Sequence, residues 1–153
     1  MAKLSIGDKA PYFSLSDQDG NFVSLSDFKG KKLLLYFYPK ADTPGCTKQA
    51  CSVRDSSQEL KKLGVSAIGI SPDEPSKQMK FDKKHDLKFI LLSDPDNKIA
   101  KSYGAFGKKS MYGKTYQGII RSSFVIDEQG QILHVNYKVK PLDTVPNAIN
   151  ILK

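Results

Sequence analysis

One apolar run is ended by a proline and a proline–glycine turn, with a cysteine directly after the glycine, and this arrangement leaves few folds open. The stretch is Tyr36-Phe-Tyr-Pro-Lys-Ala-Asp-Thr-Pro-Gly-Cys-Thr-Lys-Gln-Ala-Cys51, preceded by Leu33-Leu34-Leu35. The run from Lys32 to Tyr38 predicts a buried strand, being too short and too aromatic for a membrane span. Pro39 and Thr43-Pro44-Gly45 stop that strand, and Pro44 and Gly45 suit the entry to a helix far better than its interior. A helix is therefore expected from near Cys46 to Lys62. Ala50, Val53, Leu60 and Leu63 would face a sheet, and Lys48, Arg54, Glu59 and Lys61 would face water.

Cys46 then lies in the first turn of a helix, at the C-terminal end of a strand. Unpaired backbone N–H groups and the positive end of the helix dipole favour a thiolate there over a thiol, and open α/β sheets place their sites at such strand ends. A small buried cysteine with no chemistry is the alternative. Cys51 follows five residues later. On an intact helix the two Cα atoms are about 8.6 Å apart, beyond the roughly 4.4–6.8 Å that a disulfide spans. Either Cys51 is a structural thiol, or the two sulfurs meet only when the first turns unwind. A zinc site is poorly supplied, since His85 and His134 are the only other soft ligands.

The rest of the chain supports an α/β reading of a single domain over residues 1–153. Pro11 to Phe28 predicts a hairpin turning at Asp19-Gly20, followed by a short helical turn at Ser26-Asp27. Gly64 suits a helix C-cap before a second buried strand, Val65–Ser71, and this strand–helix–strand order predicts parallel pairing. A helix from Ser76 to His85 follows, with His85 as a surface cap at its end. Next come a short strand Phe89–Leu92, a Ser93-Asp94 cap and a helix through Ile99–Tyr103. Ala105 to Gly118, rich in glycine and lysine, is expected to be a loop. Ser122–Ile126 and Gln131–Val135 predict a final hairpin with His134 as a structural or surface residue, and Thr144–Leu152 a closing helix with Pro146 in its first turn.

A length of 153 residues suffices for a core without disulfide staples, and two cysteines do not make a disulfide framework. Met1-Ala-Lys-Leu-Ser-Ile-Gly-Asp8 has no continuous apolar run, so no secretory leader is expected and the cytoplasm is the expected compartment. The net charge of +8 invites a nucleic-acid reading. Its lysines, however, are dispersed in small groups such as Lys61/Lys62 and Lys108/Lys109, with no accompanying reader motif. Weak phosphate attraction follows from this charge, but specific nucleic-acid binding and membrane association are not expected.

Pro39-x-x-x-Thr43-x-x-Cys46 resembles the active-site signature of the peroxiredoxins, thiol peroxidases built on a thioredoxin fold. Thr43-Pro-Gly-Cys-Thr-Lys-Gln-Ala-Cys51 is similar to the peroxiredoxin Q subfamily, also called bacterioferritin comigratory protein. Leu91-Leu-Ser-Asp94, Gly113-Lys-Thr-Tyr-Gln-Gly118 and Arg121-Ser-Ser-Phe-Val-Ile-Asp127 extend the likeness over nearly the whole chain. The resemblance implies a thioredoxin fold with a central mixed sheet, flanking helices and an added N-terminal β-hairpin.

It also implies a set of roles. Cys46 is the nucleophile that becomes a sulfenic acid, and Cys51 resolves it as an intramolecular disulfide. Thr43 hydrogen-bonds the peroxide, and Pro39 shields the sulfur. Arg121, from the bare sequence a surface charge, stabilises thiolate and transition state. Expected substrates are hydrogen peroxide and organic hydroperoxides. The expected reductant is thioredoxin, with a glutaredoxin system in some members. No cofactor and no metal are implied, and a monomer is expected. Gln49 stands where many members carry Glu, so the site has one negative charge fewer. Two rivals are a thioredoxin-type thiol–disulfide oxidoreductase, weakened because four residues rather than two separate the cysteines, and a basic, non-enzymatic chaperone or nucleic-acid-binding protein.

Overall fold

The computed structural model describes residues 3–153. Met1 and Ala2, where the stretch read for a leader begins, lie outside the described residues. Strand β1 (Ser14–Asp17) and strand β2 (Phe22–Ser24) form the N-terminal hairpin, and a 3-10 turn (Leu25–Phe28) leads into β3 (Lys32–Phe37). Then come α1 (Pro44–Asp55), α2 (Ser57–Lys62), β4 (Val65–Ser71), α3 (Pro75–His85), β5 (Ile90–Ser93) and α4 (Lys98–Ser102). The chain continues through β6 (Phe106–Met111), β7 (Lys114–Ile119), β8 (Ser122–Ile126), β9 (Ile132–Tyr137) and α5 (Thr144–Leu152).

Seven strands form one mixed sheet in the order β2-β1-β5-β4-β3-β8-β9. β3, β4 and β5 are parallel, while β8 pairs antiparallel with both β3 and β9. The expected mixed sheet, flanking helices and added hairpin are all present, with the hairpin attached by antiparallel pairing of β1 to β5. Among the described residues no helix is long and apolar enough to cross a membrane.

The apolar run of β3 is explained by its position in the sheet. Side chains of a strand alternate between faces, and both faces of β3 are covered. Leu33, Leu35 and Phe37 enter one core with Phe13, Ile68, Ile70, Tyr103 and Phe124. Leu34, Tyr36 and Tyr38 enter the other, with Cys46, Ala50 and Val53 of α1, Phe81 of α3, and Val145 and Ala148 of α5. The reactive-thiol candidate thus belongs to the helix-covered face.

Three sequence expectations need correction. The helix expected from Cys46 to Lys62 begins earlier, at Pro44, and is interrupted at Ser56, which ends α1 and opens α2. Asp55, Ser56 and Ser57 are residues whose side chains favour helix ends over interiors. The segment expected as a loop from Ala105 to Gly118 is largely the β6–β7 hairpin, paired from Phe106↔Ile119 to Met111↔Lys114. Its two-residue turn has Tyr112 at φ 53° and Gly113 at φ 76°, the left-handed pair that matches strand twist in a tight hairpin. Lys114 to Gln117 are all exposed, so the apolar–polar alternation that marks a half-buried strand is missing. His85 is no simple surface cap: Asp86, at φ 52°, occupies the C-cap of α3, and the half-buried His85 ring packs edge-on against Phe81.

The Ser93-Asp94 cap is present in a different form. The buried Asp94 carboxylate accepts the N–H groups of Ile99 (3.2 Å) and Ala100 (2.9 Å) at the start of α4. Burial raises its pKa, opposed by these backbone donors.

Gly69 is required by close approach between β4 and β3. It stands opposite Tyr36 in the parallel register, and a Cβ there would lie 2.9 Å from the Tyr36 hydroxyl and 3.0 Å from Tyr38 Cε1. Both rings are fully buried, and Tyr38 donates its hydroxyl to Gln78. Gly69→Ala is therefore expected to destabilise the protein by about 1–3 kcal/mol in urea unfolding. An unchanged midpoint would contradict this packing.

Candidate active site

The end of β3 delivers the chain to the start of α1 through Pro39, Lys40, Ala41 and Asp42. Several bonds fix this short path. The Ala41 N–H donates to Asp73 Oδ2 at 2.7 Å, and that carboxylate also accepts the Ser71 hydroxyl at 2.8 Å. Asp42 has a left-handed backbone at φ 64°, and its carboxylate binds Lys84 Nζ at 2.8 Å and His85 Nε2 at 2.9 Å. Lys84 first, and His85 second, hold the Asp42 pKa below the ordinary carboxylate range. Arg54, at the far end of α1, donates to the His85 carbonyl at 2.6 Å, so the end of α3 is tied to both ends of the cysteine helix.

Thr43 is the N-cap and Pro44 the first helical residue. The first helical bond runs from the Thr47 N–H to the Thr43 carbonyl at 2.8 Å. The N–H groups of Gly45 and Cys46 precede it and have no carbonyl of their own helix to reach. Cys46, 1% exposed, therefore sits at the electropositive end of α1 within an otherwise apolar core.

Arg121, immediately before β8, brings a permanent cation to this sulfur. Its Nη2 lies 3.4 Å from Cys46 Sγ, and its Nη1 donates to Gln49 Oε1 at 2.6 Å. Gln49 is fully buried, and its amide nitrogen donates to the Thr144 hydroxyl at 2.8 Å. One side-chain chain thus joins β8, α1 and α5. Gly45 permits it: a Cβ at that position would stand 3.2 Å from Arg121 Nη2. The Arg121 carbonyl is fixed in turn by the Val139 N–H at 2.9 Å.

The residues expected from the sequence are distributed unequally. Cys46 and Arg121 are in direct contact. Thr43 caps the same helix, with its hydroxyl donated to the Lys40 carbonyl at 2.9 Å. Pro39 is half-buried at the end of the strand. Cys51 is half-buried further along the same unbroken helix, and both thiols are free, in accord with the spacing argument. His134 lies on β9, where burial lowers its pKa and Nε2 has no hydrogen-bond partner.

The sequence reading missed the linking role of Gln49 and Thr144, and the placing of Lys109 beside Arg121 in one cavity. Thr144 is the first residue of α5, after the Asp143 N-cap, and its hydroxyl faces Gln49 and not the helix backbone. Lys109 is half-buried, and its pKa is lowered first by burial and then by Arg121, with Cys46 acting in the opposite sense. Lys109 and Arg121 line the same cavity.

Comparison with known proteins identifies the family. The family model described as AhpC/TSA family matches residues 6–135. The chain is 56% identical to peroxiredoxin Bcp of Escherichia coli, over 100% of this chain and 98% of that protein. Its fold superposes with a TM-score of 0.86 on the crystal structure of peroxidoxin BcpB from Mycobacterium tuberculosis, at 35% identity and covering 96% of this chain and 95% of that one. A structure of the Xanthomonas campestris bacterioferritin comigratory protein, studied for its alkyl peroxide reduction activity, also superposes at 0.86, with 31% identity and 92% and 89% coverage. The chain belongs to the AhpC/TSA family and, within it, to the Bcp and peroxiredoxin Q group of thiol-dependent peroxidases.

Proposed function

We infer that Cys46 is the peroxidatic nucleophile of this enzyme and that it reduces hydrogen peroxide and alkyl hydroperoxides. The observation that carries this reading is the 3.4 Å contact between Arg121 Nη2 and the sulfur of Cys46, made at a helix start inside an apolar core. A guanidinium stays charged at any working pH, and in a site poor in water its attraction for a thiolate is strong.

The thiolate attacks the terminal oxygen of the hydroperoxide. An S–O bond forms and the O–O bond breaks, with its electron pair leaving on the other oxygen. That oxygen takes a proton and departs as alcohol or water, leaving Cys46 as a sulfenic acid. Arg121 and the free N–H groups of the first turn stabilise the charge that gathers on the departing oxygen. The Thr43 hydroxyl, its proton already given to the Lys40 carbonyl, presents lone pairs to the peroxide and so accepts the hydroperoxide O–H. Pro39, which has no N–H, closes the site beside the sulfur.

Cys51 completes the cycle once the first turns of α1 unwind. Its thiolate attacks Cys46 Sγ, an S–S bond forms, and the S–O bond breaks to release water after protonation. A dithiol protein of the thioredoxin or glutaredoxin kind then returns both thiols. The whole chain acts as one domain and as a monomer in a reducing, cytoplasmic compartment, which accords with a resolving thiol in the same chain.

These roles set measurable outcomes. Cys46→Ser should abolish peroxide turnover, and residual turnover at the wild-type rate would remove Cys46 from the reaction. Cys51→Ser should keep the first oxidation, followed by rapid mixing, and lose efficient recycling by thioredoxin. Arg121→Ala should slow the first oxidation by about 10²–10³-fold, the usual cost of one preorganised donor; a rate within twofold of wild type, judged against that scale, would rule out its assigned role. Gln49→Glu should slow the same step at neutral pH, because a buried carboxylate would share the charge of Arg121, and a faster reaction would contradict the role given to the neutral amide.

A further inference from the structure

Arg121 faces two spaces. Besides contacting Cys46, it lines a cavity of about 550 Å³ between the β6–β7 hairpin and the end of β9. The walls are Lys108, Lys109, Ser110 and Thr115 of the hairpin, Ile120 and Arg121, and Lys138 and Val139 beyond β9. Four of these eight residues are cations and none is an acid. Among the described residues, none of the four takes part in a salt bridge.

The backbone beside this cavity is fixed at Lys138 and Val139. Lys138 has a left-handed backbone at φ 61°, an arrangement that bulky side chains seldom adopt, and the next residue is fixed by the Val139 N–H bond to the Arg121 carbonyl. Lys109 Nζ lies 5.9 Å from the centre of the Tyr116 ring. Partial burial and Arg121 both disfavour the charge of Lys109. Bringing like charges together at a recess costs stability unless an anion offsets the repulsion. The attack chemistry uses only Arg121 of this group, so Lys108, Lys109 and Lys138 are left without a role in it.

We propose that this cavity is a substrate subsite that binds the anionic group of a hydroperoxide carrying a carboxylate, sulfonate or phosphate, with Arg121 shared between that group and the reacting oxygens at Cys46. The proposal rests on Cys46 being the site of peroxide reduction. A cavity of about 550 Å³ has room for an anionic group with its linking carbons, and the absence of lining carboxylates leaves no internal competitor. Ile120 and Val139 supply apolar wall for the linking carbons. The enzyme then discriminates among hydroperoxides by charge as well as by size.

The test uses a matched pair of probes: a tert-alkyl hydroperoxide ending in a carboxylate, and its uncharged methyl amide. The readout is the ratio of kcat/KM for the first over the second in the full-length reduced protein. The wild-type ratio should be about tenfold or more and should fall as salt is raised. Lys109→Gln and Lys138→Gln should each lower it severalfold, the double variant should approach parity, and Lys138→Arg should restore it. Lys61→Gln, which removes the same charge from α2, should leave the ratio unaltered and so separates the cavity from the overall charge of +8. A wild-type ratio near one, or a high ratio that the two lysine variants leave intact, would overturn the proposal. So would variants that slow only reduction by thioredoxin, which would make the cavity a docking point for an acidic reductant. If wild type consumed neither probe nor hydrogen peroxide, the peroxidase reading of Cys46 would itself fail, a result distinct from parity between probes.

Discussion

A buried sulfur 3.4 Å from a guanidinium nitrogen is the contact on which the site depends, and much of the surrounding architecture is explained by it. The sulfur is supplied by a helix start, the cation by the residue before an antiparallel strand. They meet because β8 lies beside β3 in the sheet and α1 begins where β3 ends. The electrostatics would be weak at the surface, where water screens a single pair of charges. They become effective because Leu34, Tyr36, Ala50 and Val145 exclude water from this face. Tyr36 and Tyr38 line that core with phenols whose pKa burial pushes up, so they bring no competing anion to the guanidinium.

Gln49 extends the same logic. As an amide it both accepts from Arg121 and donates to Thr144, fixing the guanidinium without neutralising it. A carboxylate could accept from Arg121 but would have nothing to donate to Thr144, and it would draw the positive charge away from the sulfur. The start of α1 is secured differently, by bonds from outside the helix. Asp73 holds the Ala41 N–H, and Lys84 with His85 holds Asp42. The Lys84–Asp42 ion pair is exposed and screened, whereas Asp73 is buried with Ser71. The chain is thus most firmly held at the strand end and more lightly held where the helix begins, which is the region that must open if Cys46 is to reach Cys51.

Much of this was legible in the sequence because β3 is covered on both faces and the turn after it is chemically explicit. Leu33 to Phe37 signal a central strand with no ambiguity of face, and Thr43-Pro44-Gly45 signals a helix entry whose residues have no other comfortable place. α5 was found with its observed limits because Pro146 is tolerable only near a helix start and the apolar positions after it recur at helical spacing. The β6–β7 hairpin was not legible, since Lys108, Lys109 and Lys114 interrupt the alternation that half-burial would impose; Tyr112-Gly113 was the available sign. The Gln49–Thr144 bond joins residues far apart in sequence, and no local pattern encodes such a contact. The role of His85 escaped for the same reason, because its partner Asp42 comes from another element. The cationic cavity depends on the hairpin and so was hidden with it.

The most direct test of the account is the intact mass of the reduced protein after one equivalent of hydrogen peroxide. A loss of two hydrogens at sub-second times, reversed by thioredoxin and its reductase, is expected as Cys46 is oxidised and Cys51 captures it. A stable gain of one oxygen would keep Cys46 as the reactive thiol and remove Cys51 as its resolver. No rapid change in mass would contradict the central claim that the contact between Arg121 and Cys46 makes this buried sulfur a peroxidatic nucleophile.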